Sequence, residues 1–141
     1  NHVYIFARGD SETTAMNFIN KCVKIGKFFQ LSTQYGDHNY YAKYAKPNDC
    51  CFFITYDKND YFNTAVRNII INHSKIVVLT ANKDSFLTRY STHKIVIPHQ
   101  EESFDRIATF YSQQGFQYVL SIIYSLMYNK VMKDRRISWI K

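Results

Sequence analysis

Apolar positions along the chain switch repeatedly between two periods. Val3–Ala7 ("VYIFA") is a short, continuous apolar run, as expected of a strand covered on both faces. From Ser11 to Gly26, Ala15, Met16, Ile19, Cys22 and Val23 recur at helical spacing, and Gly26 supplies a stop. Phe28–Leu31 predicts a weaker strand, and Asp37–Ala45 a short helix opened by Asp37 and ended before Pro47. Cys50–Tyr56 ("CCFFITY") is a second doubly covered strand, and Asp60 precedes a helical segment with Phe62, Ala65, Val66, Ile69 and Ile70. Lys75–Thr80 ("KIVVLT") is the clearest strand. Ser85–Tyr90 predicts a short helix, and Ile95–Ile97 a last strand stopped by Pro98. From Glu101 or Glu102 to about Lys133 the apolar positions predict one long helix, bent at Gly115.

Strand and helix in this alternation build right-handed βαβ units. The expected fold is therefore α/β, a three-layer αβα sandwich around a mainly parallel sheet, with residues 1–141 forming one domain. The last helix carries Tyr111, Val119, Ile122, Ile123, Leu126 and Met127, more apolar surface than one buried face needs. That surplus predicts a homodimer interface, with a deeper core contact as the alternative.

Composition narrows the function classes. A chain of 141 residues suits one domain, and four Gly with two Pro leave little room for linkers. The net charge of +7 admits anionic partners. The densest basic run, Lys130–Arg136, sits where cations suit a helix C-terminus, and no helix-turn-helix pattern is visible. Cys50 and Cys51 are adjacent and point to opposite faces of a strand, and no CxxC pair exists. Reduced thiols in a cytoplasmic protein are expected. His2, His38, His73, His93 and His99 show no metal spacing, and no apolar run approaches the ~20 residues that span a membrane. The chain opens on "NHVYIF" rather than Met, which suggests a piece of a longer protein.

In a sheet of this kind ligands bind beyond the carboxyl ends of the strands. The loops Ala7–Ser11, Tyr56–Asp60 and Thr80–Ser85 lie there, each ahead of a predicted helix whose N-terminal N–H groups attract anions. Arg8, Gly9, Asp10 and Ser11 form the first candidate group. Gly9 would let backbone approach a ligand, and Ser11 offers a hydroxyl. Gly, Asp and Ser there also serve as plain helix caps.

These pieces in this order resemble the SIS (sugar isomerase) domain. "VYIFARGDSETTAMNFINKCVKIGK" resembles its opening strand and Gly-x-Gly-x-Ser turn; "DCCFFITYDKNDYFNTAV" is similar to its strand and Ser-x-Ser-Gly-x-Thr loop. "KIVVLTANKDSFLTRYSTHKIVIP" resembles the next strand, a Thr-x-x-x-x-Ser loop and the last strand, and "EESFDRIATFYSQQGFQYVLSIIYSLMYNKVMK" the closing helix. Its particular flavour is similar to that of the C-terminal effector domain of RpiR-type bacterial transcriptional regulators. The resemblance implies a flavodoxin-like, five-stranded parallel sheet, a dimer, and phosphosugar binding without a cofactor. It also implies DNA contact only through a preceding helix-turn-helix domain.

Residue by residue, Gly9 and Ser11 match the first signature while Ala7 replaces its first Gly; Thr55 keeps a hydroxyl in the second. Asp57 then stands at the second Ser, Lys58 at the Gly and Asp60 at the Thr. Two hydroxyl donors become carboxylates, and like charges at ~4 Å cost on the order of 1–4 kcal/mol. Arg8 and Lys58 offset this if they face inward, and Asp60 alternatively caps the following helix. Ser85 matches the loop Ser, and Glu102, with Glu101, falls where some members carry a catalytic acid. The expectation is a non-enzymatic sensor of a phosphosugar or related carbohydrate derivative. The rivals are a phosphosugar isomerase of the same fold and a dimerisation module with a degenerate pocket.

Overall fold

In the computed structural model, which describes residues 1–33, 35–56, 61–98 and 110–140, strands and helices alternate along the whole chain. They are β1 (Val3–Ala7), α1 (Asp10–Val23), β2 (Gln30–Ser32), α2 (Tyr35–Tyr44), β3 (Cys50–Thr55), α3 (Asn63–Ile71), β4 (Lys75–Thr80), α4 (Leu87–Tyr90), β5 (His93–Val96) and α5 (Phe110–Ile140). The five strands form one sheet in the order β2-β1-β3-β4-β5, and every neighbouring pair is parallel. This is the flavodoxin-like doubly wound order, which places a topological switch point between β1 and β3.

The continuous apolar runs are explained by the two faces. Ile5, Ala7, Phe52, Ile54 and Leu79 point toward α1 and α5, joining Ala15, Phe18, Ile19, Cys22, Phe116 and Leu120. Their neighbours Phe6, Cys51, Phe53, Ile76 and Val78 point the other way, joining Ala42 of α2, Ala65, Val66 and Ile69 of α3, and Leu87 of α4. Side chains alternate along each strand, so a strand buried on both faces must be apolar at every position. The result is the expected three-layer sandwich.

Boundaries depart from expectation where burial and hydropathy disagree. The second strand is Gln30–Ser32 rather than Phe28–Leu31. Phe28 lies exposed before it, whereas the polar Ser32 is buried and shares a 2.7 Å hydrogen bond with His38 Nδ1. α2 starts at Tyr35, so Asp37 sits inside its first turn instead of capping it, where its charge favours the helix dipole. β5 is His93–Val96, ending one residue before the buried Ile97. α5 runs unbroken through Gly115 and on past Lys133 to Ile140. Gly115 serves as a point of close approach: a Cβ there would lie 2.5 Å from Ile97 Cδ1.

Gly26 does close α1, with φ +75°. The Gly26 N–H donates to the Val23 carbonyl and the Lys27 N–H to the Cys22 carbonyl, the Schellman pattern. The same pair of bonds follows α3, from the His73 N–H to Ile70 and from the Ser74 N–H to Ile69, with His73 at φ 59°. The thiols of Cys22, Cys50 and Cys51 are unpaired. Burial pushes Cys22 up to about 11 and Cys51 up to about 12, so both stay protonated and unreactive. Among the described residues no helix is long and apolar enough to cross a membrane, and no group of three or more potential metal ligands forms.

Candidate functional site

β1 and β3 run side by side in the register Ala7↔Ile54, so the turn after β1 and the end of β3 emerge at one rim of the sheet. Gly9 occupies the N-cap of α1 with φ 63° and ψ −132°, a conformation open essentially to glycine. Its missing side chain finds open space, so the constraint is the backbone and not crowding. Among the described residues no side chain caps α1, although the Glu12 N–H reaches the Gly9 carbonyl at 2.9 Å. The N-terminus of this 14-residue helix, with its partial positive charge, therefore faces the rim, an arrangement that attracts phosphate.

The first-loop residues divide. Arg8 is exposed, and its guanidinium lies over the Tyr61 ring at 4.1 Å, reaching from the β1 turn across to the segment entering α3. Asp10 is exposed on the first turn of α1. Ser11 is only 1% exposed, and its Oγ accepts a hydrogen bond from Gln113 Nε2 of α5 at 3.0 Å. The Gln113 Oε1 in turn accepts from the Thr14 hydroxyl at 2.6 Å. Ala7, which replaces the first Gly of the signature, is fully buried at the end of β1.

Thr55 ends β3 half-buried, opposite Thr80 of β4, and its carbonyl accepts the Ala81 N–H at 3.3 Å. Asp57, Lys58, Asp60, Glu101 and Glu102 lie outside the described residues. The N-cap of α3 is Phe62, two residues beyond the position expected for Asp60. Ser85 follows β4, one strand further along the same rim, and is 1% exposed with an Oγ that has no hydrogen-bond partner among the described residues. It does not cap α4, whose N-cap is Phe86. Beside it a hollow of about 490 Å³ opens between the ends of β4 and β5, lined by Asn82, Lys83, Asp84 and Ile97 among others.

Three residues of this rim escaped the sequence reading. His38 is buried among Phe6, Tyr61 and Phe62, and burial lowers its pKa to about 4, so the ring is neutral. Its Nδ1 bonds Ser32 and its Nε2 has no hydrogen-bond partner among the described residues. Tyr61 carries Arg8 on one side and meets His38 edge-on at 5.5 Å. Nothing local in the sequence signals a contact between residues so far apart. Gln113 did leave a signal: it precedes Phe116 by three and Leu120 by seven, a polar member of an otherwise inward-facing stripe.

The comparisons agree with this architecture. The SIS domain family matches residues 1–124. The chain belongs to the SIS domain family. No curated protein matches the sequence. Among solved structures, the Vibrio vulnificus NanR protein complexed with ManNAc-6P superposes on this SIS domain with a TM-score of 0.81 at 16% identity. The match covers 97% of this chain and 54% of NanR, so the chain spans about half of that protein. The sugar isomerase domain of an RpiR transcription factor from Sphaerobacter thermophilus gives 0.67 at 13% identity, covering 96% and 78%. A Bacteroides fragilis protein assigned as a phosphosugar isomerase involved in capsule formation gives 0.70 at 19%, covering 96% and 70%. At these identities the likeness establishes the fold.

Proposed function

We propose that this SIS domain is the effector-binding and dimerising part of an RpiR-type bacterial transcriptional regulator, sensing a phosphosugar or related carbohydrate derivative in the cytoplasm. In this reading it has no catalytic role, and DNA is contacted by a helix-turn-helix domain elsewhere in a longer protein. The observation that carries the reading is the β1/β3 rim. There a glycine-only turn at Gly9 brings the N-terminus of α1 to the rim beside Ser11, with Arg8 held across the crevice on Tyr61. That combination offers N–H donors, a hydroxyl and a fixed positive charge, and so suits a phosphate. The structural likeness to NanR with ManNAc-6P supports a phosphosugar as the ligand class.

The mechanism is a population shift: a ligand that prefers one dimer arrangement changes the spacing of the DNA-binding heads. Titration calorimetry with ManNAc-6P, glucose 6-phosphate, inorganic phosphate and unphosphorylated ManNAc tests the site. Binding of at least one phosphosugar is expected, with an about tenfold loss in Arg8→Ala, as for a charge-assisted hydrogen bond. Silence with every probe would sink ligand sensing and leave a dimerisation module with a degenerate pocket.

The second reading, a phosphosugar isomerase, draws on the Bacteroides fragilis neighbour. Isomerisation needs an acid–base pair at the sugar. His38 is the one histidine among the described residues at this rim, and it is sealed beneath Tyr61 and Phe62. Aldose–ketose turnover by the purified domain would favour the enzyme instead.

A further inference from the structure

Ser11 and Thr14 lie one helical turn apart on the same side of α1, both almost wholly buried, and Gln113 of α5 bridges them. The bridge has a definite polarity. The Thr14 hydroxyl faces two acceptors, Gln113 Oε1 at 2.6 Å and the Asp10 carbonyl at 3.5 Å, and the much shorter contact takes its only hydrogen, which turns the amide nitrogen toward Ser11. The Nε2–H then donates to Ser11 Oγ at 3.0 Å. A hydroxyl has one hydrogen and two lone pairs, so a serine held as acceptor keeps its own hydrogen for another partner. A phosphate oxygen accepts and never donates when ionised, so only a serine presented as a donor serves it.

We infer that Gln113 is a positioning residue of the anion loop, fixing the Ser11 hydroxyl as a donor toward the ligand. The inference rests on the phosphosugar reading of the rim and adds to it a residue from the far end of the chain. The same bridge ties the start of α1 to α5.

Calorimetry with ManNAc-6P and inorganic phosphate, paired with thermal unfolding, tests it in four proteins: wild type, Gln113→Leu, Ser11→Ala and the double variant. Gln113→Leu is expected to weaken binding about tenfold, the value of one lost oriented hydrogen bond. In the Ser11→Ala background the same change is expected to alter Kd less than about twofold, because no hydroxyl remains to orient. Gln113→Glu is a near-isosteric second variant that keeps the Thr14 bond but can only accept from Ser11. It should reverse the polarity and lose at least as much affinity while unfolding at a similar temperature. Unchanged Kd in both Gln113 variants, or the same loss with and without the Ser11 hydroxyl, overturns the positioning role while leaving phosphosugar sensing intact. Absence of binding in wild type removes both.

Discussion

His38 shows how one residue's surroundings set its chemistry. Its ring is closed in by Phe6, Tyr61 and Phe62, and burial lowers its pKa to about 4; Arg8 acts in the same direction and Asp37 opposes it. Above pH 6.5 the ring is neutral in both the folded and the unfolded chain, so its contribution is intact. As pH falls below 6.5 the unfolded chain takes the proton first, and stability declines until the folded ring also protonates near pH 4. The expected loss is roughly 3 kcal/mol over that interval. Denaturant titrations from pH 7 to pH 4 should show this decline in wild type and a flatter one in His38→Gln. Equal slopes in the two proteins would mean that His38 is already charged or solvated in the native state. The sequence marked His38 as one of five scattered histidines. Only the packing of α2 against β1 and the segment entering α3 makes it a buried neutral base.

Elements meet where side chains are missing as well as where they are large. α5 approaches the residue after β5 so closely that a Cβ at Gly115 would overlap Ile97 Cδ1, while the other Ile97 atoms stay at ordinary contact distance. An alanine there gains about 1 kcal/mol in helix propensity but forces the Ile97 side chain to move, at a cost of roughly 1–3 kcal/mol. Gly115→Ala should therefore destabilise the domain by about 1 kcal/mol. In an Ile97→Val background, which removes the clashing methyl, the same change should stabilise by about 1 kcal/mol. Urea unfolding of the four proteins reads the sign directly, and a Gly115→Ala effect of one sign in both backgrounds would refute the contact. The sequence pattern around Gly115 suggested a bend. An unbroken helix with a close approach has the same local signature, because both need glycine and differ only in what lies opposite.

At the scale of the molecule, α5 has two apolar sides. Phe116, Leu120, Ile123 and Met127 pack against α1 and the sheet. Tyr111, Tyr118, Ile122 and Leu126 form a separate stripe on the outside, with Tyr118 70% and Leu126 66% exposed. At roughly 100° per residue the two sets lie more than a quarter-turn apart around the helix. One chain cannot cover both, and the proposed homodimer would bury the outer stripe. Leu126→Glu combined with Tyr118→Glu should shift sedimentation from dimer to monomer with the circular dichroism spectrum unchanged. A variant that still sediments as a dimer would place the interface elsewhere. The surplus apolar surface was legible in the sequence as Ile122 and Leu126 interleaved with Ile123 and Met127. Which of them face inward was not, since that depends on how α5 lies on α1.

Local patterning alone determined the class of fold. Continuous apolar runs alternating with helical spacing can be buried only as strands covered on both sides, and the short connections leave right-handed crossovers as the economical path. The same patterning located Gly9 and Ser11, because a glycine and a hydroxyl between strand and helix are readable without neighbours. The tertiary structure decided what those residues touch. Arg8 meets Tyr61, Ser11 meets Gln113 a hundred and two positions later, and Ser32 is buried by His38. Sequence periodicity reports which side of an element is apolar. It carries no information about which distant polar group comes to rest against it, because that pairing is set by the order of strands in the sheet and the seating of helices upon it.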